Sequence, residues 1–327
     1  GPVVAVLMPA RNAAPWIAET VASILAQSYP RFELLLIDDG STDETVMVAR
    51  AAFANDPRVR LIALEQGGIV QALNTGLEAV SPSCRYVARM DADDVMAPER
   101  LGRQLAWLDA YPGTSVVASR VRILRDFAVG EGDGVDASGM ERYVAWLNGL
   151  AGGDLGREMF VEAPVCHPAV MIRTDVLRTA GGYCLERWTE DHDLWLRLHL
   201  AGHRFETLPE TLHTWRDHGR RLTRTDARCG TEALLAMKAH YLVRAFGTEL
   251  RIWGSGRDGR HLARALEREG AEITAFIDVD SRKIGGVRRG QVPVVGLDRV
   301  ETAGSGPIVV AVGIPSARAE IRQYLDA

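Results

Sequence analysis

Continuous apolar runs alternate with stretches of helical spacing along roughly the first third of the chain. Val3–Met8 is apolar throughout and stopped by Pro9, as expected of a parallel strand buried on both faces. Pro15 then opens a segment whose Ile17, Val21, Ile24 and Leu25 fall on one helical face. The same rhythm predicts strands at 32–37, 58–64 and 86–90, and helices at roughly 43–54, 68–80 and 97–110. Strand-helix alternation of this kind points to a parallel, doubly wound α/β sheet.

After Tyr111-Pro112-Gly113 the pattern changes. Residues 114–124 read as strands, 130–139 as a glycine- and acid-rich loop, and 149–156 and 215–228 as loops flanking a core segment at Ala169–Ile172. A helix starts near Glu190, and a longer one, roughly 226–246, ends at Gly247. A new series then begins: strand 250–253, the turn Gly254-Ser255-Gly256-Arg257-Asp258-Gly259, a helix, a strand ending at Asp278, and a last strand at 307–313. The expected organisation is therefore a domain at 1–225, a linking helix at 226–247 and a small Rossmann-like βαβ domain at 248–327.

The 327 residues allow a large core, and a net charge of −5 gives no electrostatic case for nucleic acid. Cys84, Cys166, Cys184 and Cys229 lack zinc-like spacing and read as reduced thiols of a cytoplasmic protein. No apolar run reaches the ~20 residues of a membrane span, and no signal peptide is recognisable.

Chemistry concentrates at two strand ends. Strand 86–90 closes on Arg89-Met90-Asp91-Ala92-Asp93-Asp94, and strand 32–37 on Asp38-Asp39-Gly40-Ser41-Thr42-Asp43. Crowded carboxylates repel one another and resist burial, so a cation or water must compensate them. Hard oxygens suit Mg²⁺ or Mn²⁺ better than zinc. Each cluster also has a plainer reading, as a solvated acidic turn leading into a helix. Two such clusters at neighbouring strand ends suggest one crevice, where α/β sheets bind ligands.

Taken in order, the motifs resemble those of family 2 glycosyltransferases of the GT-A fold over residues 3–220. The matching pieces are Met8–Asn12, Ser23–Ser28, Asp38–Asp43, Gly68–Leu77, Arg89–Asp94 and Thr189-Glu190-Asp191. The resemblance implies transfer of a sugar, with inversion, from a nucleotide donor (usually a UDP-sugar) to a glycan or glycoconjugate hydroxyl. Pro9, Arg11 and Asp39 would border the base, with Asp39 accepting the uracil N–H. Asp91-Ala92-Asp93 matches the DXD signature, which would hold Mn²⁺ or Mg²⁺ on the diphosphate. Asp93 would be the direct ligand, with Asp91 and Asp94 on the ribose or the metal. Asp191 falls where the family places its catalytic base, and Glu190 would orient the acceptor. Two departures stand out. Arg11 replaces a frequent aromatic residue, and Gln66–Gln71 replaces an Asn/Arg-rich segment.

These roles make chemical sense. A cation offsets the charge growing on the leaving diphosphate, and Arg89, Arg216, Arg220, Arg221 and Arg224 offer further donors to phosphates. Asp191 would lie in a helix's first turn, where the dipole favours an acidic side chain. His218 matches a position where some relatives place a histidine on the metal. His167 is either a sugar-pocket residue or a buried one, and Trp188, Trp195 and Trp215 offer a stacking platform or core. The glycine turn at 254–259 resembles that of the small nucleotide-sugar-binding domain of some bacterial sugar acetyltransferases. Assembly into an oligomer or glycines kept for packing are its other readings. The rival functions are an NAD-dependent oxidoreductase using that turn, with Asp278 on the ribose, and a non-catalytic nucleotide-sugar-binding protein. The expected location is cytoplasmic, with peripheral association at the inner membrane face left open.

Overall fold

A computed structural model describes residues 1–126 and 137–326, which divide into two compact units, Gly1–Thr225 and Asp226–Ala327. The first unit opens with β1 (Val4–Ala10), α1 (Ile17–Leu25), β2 (Phe32–Asp39), α2 (Thr45–Phe53), β3 (Val59–Leu64), α3 (Ile69–Ala79) and β4 (Tyr86–Arg89). β5 (Val95–Met96), α4 (Arg100–Ala110), β6 (Thr114–Arg125), α5 (Ala137–Gly149), α6 (Gly153–Glu158) and β7 (Val170–Arg173) follow. The unit ends with α7 (Thr174–Thr179), α8 (Glu190–Leu200), β8 (Arg204–Asp217) and α9 (Leu222–Thr225). Most of the expected 130–139 loop lies outside the described residues, and its last three residues already belong to α5.

Eight strands form one sheet in the order β3-β2-β1-β4-β7-β6-β8-β5. The β3-β2-β1-β4 half is parallel. β7 runs antiparallel between β4 and β6, and β6 and β8 pair in parallel. All eight residues of β2 are buried, which accounts for its apolar stretch at Leu34–Ile37. Its one early charge, Glu33, is tolerated because it accepts bonds from Ser81 N (2.8 Å) and Ser81 Oγ (2.7 Å).

α3 lies on β1 and β2 through Gly76, where a Cβ would stand 2.1 Å from Leu7 Cδ1 and 3.1 Å from Ile37 Cγ1. Gly76→Ala should therefore lose about 1 kcal/mol net, because overpacking of about 1–3 kcal/mol exceeds the ~1 kcal/mol gained in helix propensity. A thermal melt would show this as a lower Tm, and an unchanged or higher Tm would refute the close approach.

Several expected boundaries shift for tertiary reasons. The helix expected from residue 97 begins at Arg100, because Val95 and Met96 pair with Thr214 and His213 of β8, and Ala97 N donates to Leu212 O (3.0 Å). Residues 114–124 form a single long strand, and the supposed loop at 215–228 starts with the last three residues of β8. The loop expected at 149–156 contains the start of α6.

The second unit comprises α10 (Thr231–Phe246), β9 (Glu249–Trp253), α11 (Arg257–Arg268), β10 (Glu272–Ile277), β11 (Val287–Arg288), β12 (Val292–Val295), β13 (Ile308–Val310) and α12 (Pro315–Leu325). α10 starts later than residue 226 because Ala227–Cys229 form a tight turn capped by Asp226, which accepts Arg228 N. The sheet order is β11-β12-β10-β9-β13, with only β11 antiparallel. Gly254 sits at φ +112°, and a Cβ on Gly259 would come within 1.8 Å of Gly254 O, so the glycine turn has a packing reason. Asp278 accepts Ser255 N (3.0 Å), Ser255 Oγ (2.6 Å) and Lys283 Nζ (3.1 Å). Burial opposes its charge, but these bonds win and hold its pKa down at about 2. The carboxylate that a ribose would need is thus engaged from within.

Candidate active site

β1 lies between β2 and β4, so both acidic strand ends reach the same sheet edge. Register pairs Ala10 with Asp38 and Leu7 with Arg89. Pro9 is half-buried and Arg11 exposed just beyond it. Asp39 is buried at the end of β2 and accepts Gly67 N (2.7 Å) and Gly68 N (3.0 Å). Asn12, at φ +50°, ties the loop after β1 to the loop after β2. Its N–H donates to Ser41 Oγ (3.0 Å) and its Oδ1 accepts Thr42 N (2.9 Å).

Asp91, Asp93 and Asp94 offer one ligand atom each within 4.8 Å of one another. Asp91 pairs with the buried Arg89 at 2.7 Å, and Asp93 Oδ2 accepts His218 Nε2 at 2.8 Å. Asp94 is fully buried, with Oδ1 on Arg216 N and Oδ2 on His213 Nε2, both at 2.8 Å. Burial, and then the charges of Asp93 and Asp91, push Asp94 well above the usual carboxylate range. Burial likewise raises Asp91, against the pull of Arg89. Carboxylates this crowded are relieved by a cation. Asp91 and Asp93 each keep one oxygen outside these side-chain pairs, so the oxygen set fits a hard divalent ion through those two. Asp94 has both oxygens turned toward β8.

Asp191 and Glu190 open α8, Asp191 half-buried and Glu190 buried. Asp191 Oδ1 accepts the neighbouring His192 N at 2.7 Å. The third acid of this turn, Asp193, is a structural residue. It accepts Trp188 Nε1 (2.9 Å) and Arg197 Nε (2.8 Å), while Arg197 also donates to Ala180 O and Gly182 O. Asp191 differs in having neither of these side-chain partners, Trp188 and Arg197, on its carboxylate.

A model of the glycosyl transferase family 2 domain matches residues 5–177, more than half of the chain. The chain belongs to glycosyl transferase family 2. Among its relatives is a protein named as a glycosyltransferase, EpsE of Bacillus subtilis, 35% identical over 223 residues, covering 66% of this chain and 74% of that protein. The amylovoran biosynthesis glycosyltransferase AmsE of Erwinia amylovora is 29% identical over 197 residues, covering 60% and 68%. The fold resembles that of S. aureus TarS with a TM-score of 0.56 at 19% identity, covering 81% of this chain and 71% of that one. This protein is a glycosyltransferase of the GT-A fold. Family membership assigns catalysis to the first unit and leaves the oxidoreductase reading of the second without support.

Beside Asp93 the transferase carries a cavity of about 350 Å³ lined by Pro15, Trp16, Glu19, Asp126, Arg216, His218 and Arg220. Trp16 stacks on His218, ring centroids 4.0 Å apart, and donates Nε1–H to Asp126 at 2.9 Å. The sequence reading missed Trp16, since a tryptophan one residue before a helix carries no signal of its own. The aromatics it did single out are buried. Trp188 binds Asp193, Trp195 is core, and Trp215 lies under Arg221 with 4.3 Å from guanidinium to ring.

The expected set of phosphate-binding arginines narrows for the same reason. Arg216 is held by Glu19, by Asp126 (2.9 Å) and by Asp93 O (2.7 Å), and Arg224 by Asp217 (2.7 Å). Among the described residues Arg220 pairs with no carboxylate and lies over Trp16, 5.5 Å from its ring. His167 is a buried residue, bonded to Tyr183 OH at 3.0 Å. Burial and then Arg89 push its pKa well below the ordinary histidine range.

Proposed function

We propose that this transferase moves a sugar from a UDP-sugar to a hydroxyl of a glycan or glycoconjugate, with inversion and with the help of Mn²⁺ or Mg²⁺, on the cytoplasmic side of the cell. The observation that carries the reading is the convergence of Asp39 and of the Asp91–Asp93 pair on one edge of a sheet, separated only by β1. TarS was solved with UDP-GlcNAc. A mannosyltransferase of Pyrobaculum calidifontis, 22% identical with a TM-score of 0.50, was solved with GDP-Man and Mn²⁺.

In this reading Pro9, Arg11 and the loop held by Asn12 border the base, and Asp39 reads its N–H. Arg89 fixes Asp91 for the ribose, and Ala92 lets the backbone pass close to the donor. Asp93, assisted by Asp91, holds the cation, which neutralises the leaving diphosphate as a Lewis acid. Arg220 is the cation best placed to add a donor to the phosphates. Asp191 accepts the acceptor's proton on the face opposite the leaving group, and Glu190 orients that acceptor.

Calorimetric titration of UDP in Mn²⁺ and then in EDTA tests the donor site. Binding in Mn²⁺ that Asp39→Ala weakens about 10-fold or more supports it, as expected for losing a hydrogen bond to a charged group. Equal binding in EDTA would overturn the metal assignment, and preference for GDP would overturn uridine.

A further inference from the structure

Behind the acid cluster runs a buried chain of side chains that no step above uses. Arg100, the first residue of α4, is fully buried and donates to Arg89 O (2.9 Å), Val170 O (3.2 Å) and Gln104 Oε1 (3.1 Å). Its Nη1 lies 3.0 Å from His213 Nδ1. A guanidinium can only donate, so Nδ1 must be an acceptor and the neutral ring carries its proton on Nε2. That proton is given to Asp94 Oδ2 at 2.8 Å, while Asp94 Oδ1 takes Arg216 N at 2.8 Å. The pattern repeats five residues on. His218 Nδ1 accepts Arg220 N (3.2 Å), so its Nε2–H faces Asp93 at 2.8 Å.

We propose that Arg100, His213 and Asp94 are positioning residues, a hydrogen-bonded chain that sets the end of β8 against the Asp91-Ala92-Asp93 turn and thereby seats His218 on Asp93. Asp94 then serves the cation site through geometry, not as a ligand. This rests on the reading of Asp91 and Asp93 as the cation site. Its physical basis is that each oxygen of Asp94 already accepts a bond from β8, and that one end of the chain is a guanidinium, which can only donate. Supporting partners that fix ligand orientation typically contribute about 10–100-fold in metal affinity.

Nitrogen NMR of histidine-labelled, metal-free, full-length protein reads the chain directly, and Mn²⁺ titration in the presence of UDP reads its consequence. In the parent protein His213 and His218 should both show the Nε2-protonated tautomer. His213→Leu should scramble the His218 tautomer and weaken Mn²⁺ about 10-fold or more. His213→Gln, which keeps an N–H for Asp94, should preserve both. If His213→Leu does not fold, Asp94→Asn decides, because the near-isosteric amide must set donor against donor on one side. A positioning Asp94 then disturbs His218 in the metal-free protein, whereas a direct ligand leaves His218 unchanged and alters only Mn²⁺ binding. An undisturbed His218 tautomer in these variants would overturn the proposal. Absence of Mn²⁺ binding by the parent protein would instead overturn the metal-dependent reading, with the metal-free spectra still deciding the chain.

Discussion

Replacing Asp191 with asparagine is expected to cut turnover at least ~100-fold, the usual scale for losing a general base, while UDP affinity stays at the parent value. The substitution keeps size and shape, so the first turn of α8 should survive. Only the ability to take a proton is lost. Asp193 on the same turn cannot substitute, because Trp188 and Arg197 occupy its carboxylate. Single-turnover kinetics with a UDP-sugar and a competent acceptor, alongside UDP titration, separates the two effects. Unchanged turnover would move the base elsewhere or favour a non-catalytic sugar-nucleotide binder.

Asp93→Ala should have the opposite signature. UDP binding in Mn²⁺ should fall to the level seen in EDTA, because the substitution removes a carboxylate from the cation site and releases His218 at the same time. Loss of a charged partner also unseats the stacked Trp16, so intrinsic fluorescence should change even without ligand, and Trp16→Phe supplies the control. The two variants together form a discriminating pair, one failing in chemistry and the other in donor binding. Retained Mn²⁺-dependent binding in Asp93→Ala would shift the cation to Asp91 and Asp94.

The strand-helix series up to residue 110 was legible because each element is decided within about ten residues, by an apolar run or a helical face closed by Pro, Gly or an acidic turn. The acidic clusters were legible for the same reason, since carboxylates crowded at a strand end stand out without knowledge of any partner. Candidate residues Asp39, Asp91, Asp93 and Asp191 could thus be named from local pattern and family motif. What lay beyond that reach was the set of partners. Asp94 binds Arg216 across 122 residues, and Trp16 binds Asp126 across 110. No local pattern distinguishes Asp94 from Asp93, yet one binds His213 and Arg216 of β8 and the other binds His218.

The sequence by itself determined the GT-A series of strands, the two acidic strand ends and the small βαβ unit, because periodicity and turn chemistry act over short spans. Tertiary structure alone decided that β7 enters the sheet antiparallel, that carboxylates anchor Arg216 and Arg224 while Arg220 lies over Trp16, and that Arg100 and His213 stand behind Asp94. Those outcomes depend on which distant strands become neighbours, and a buried polar atom takes whatever partner the closed sheet brings within hydrogen-bond reach.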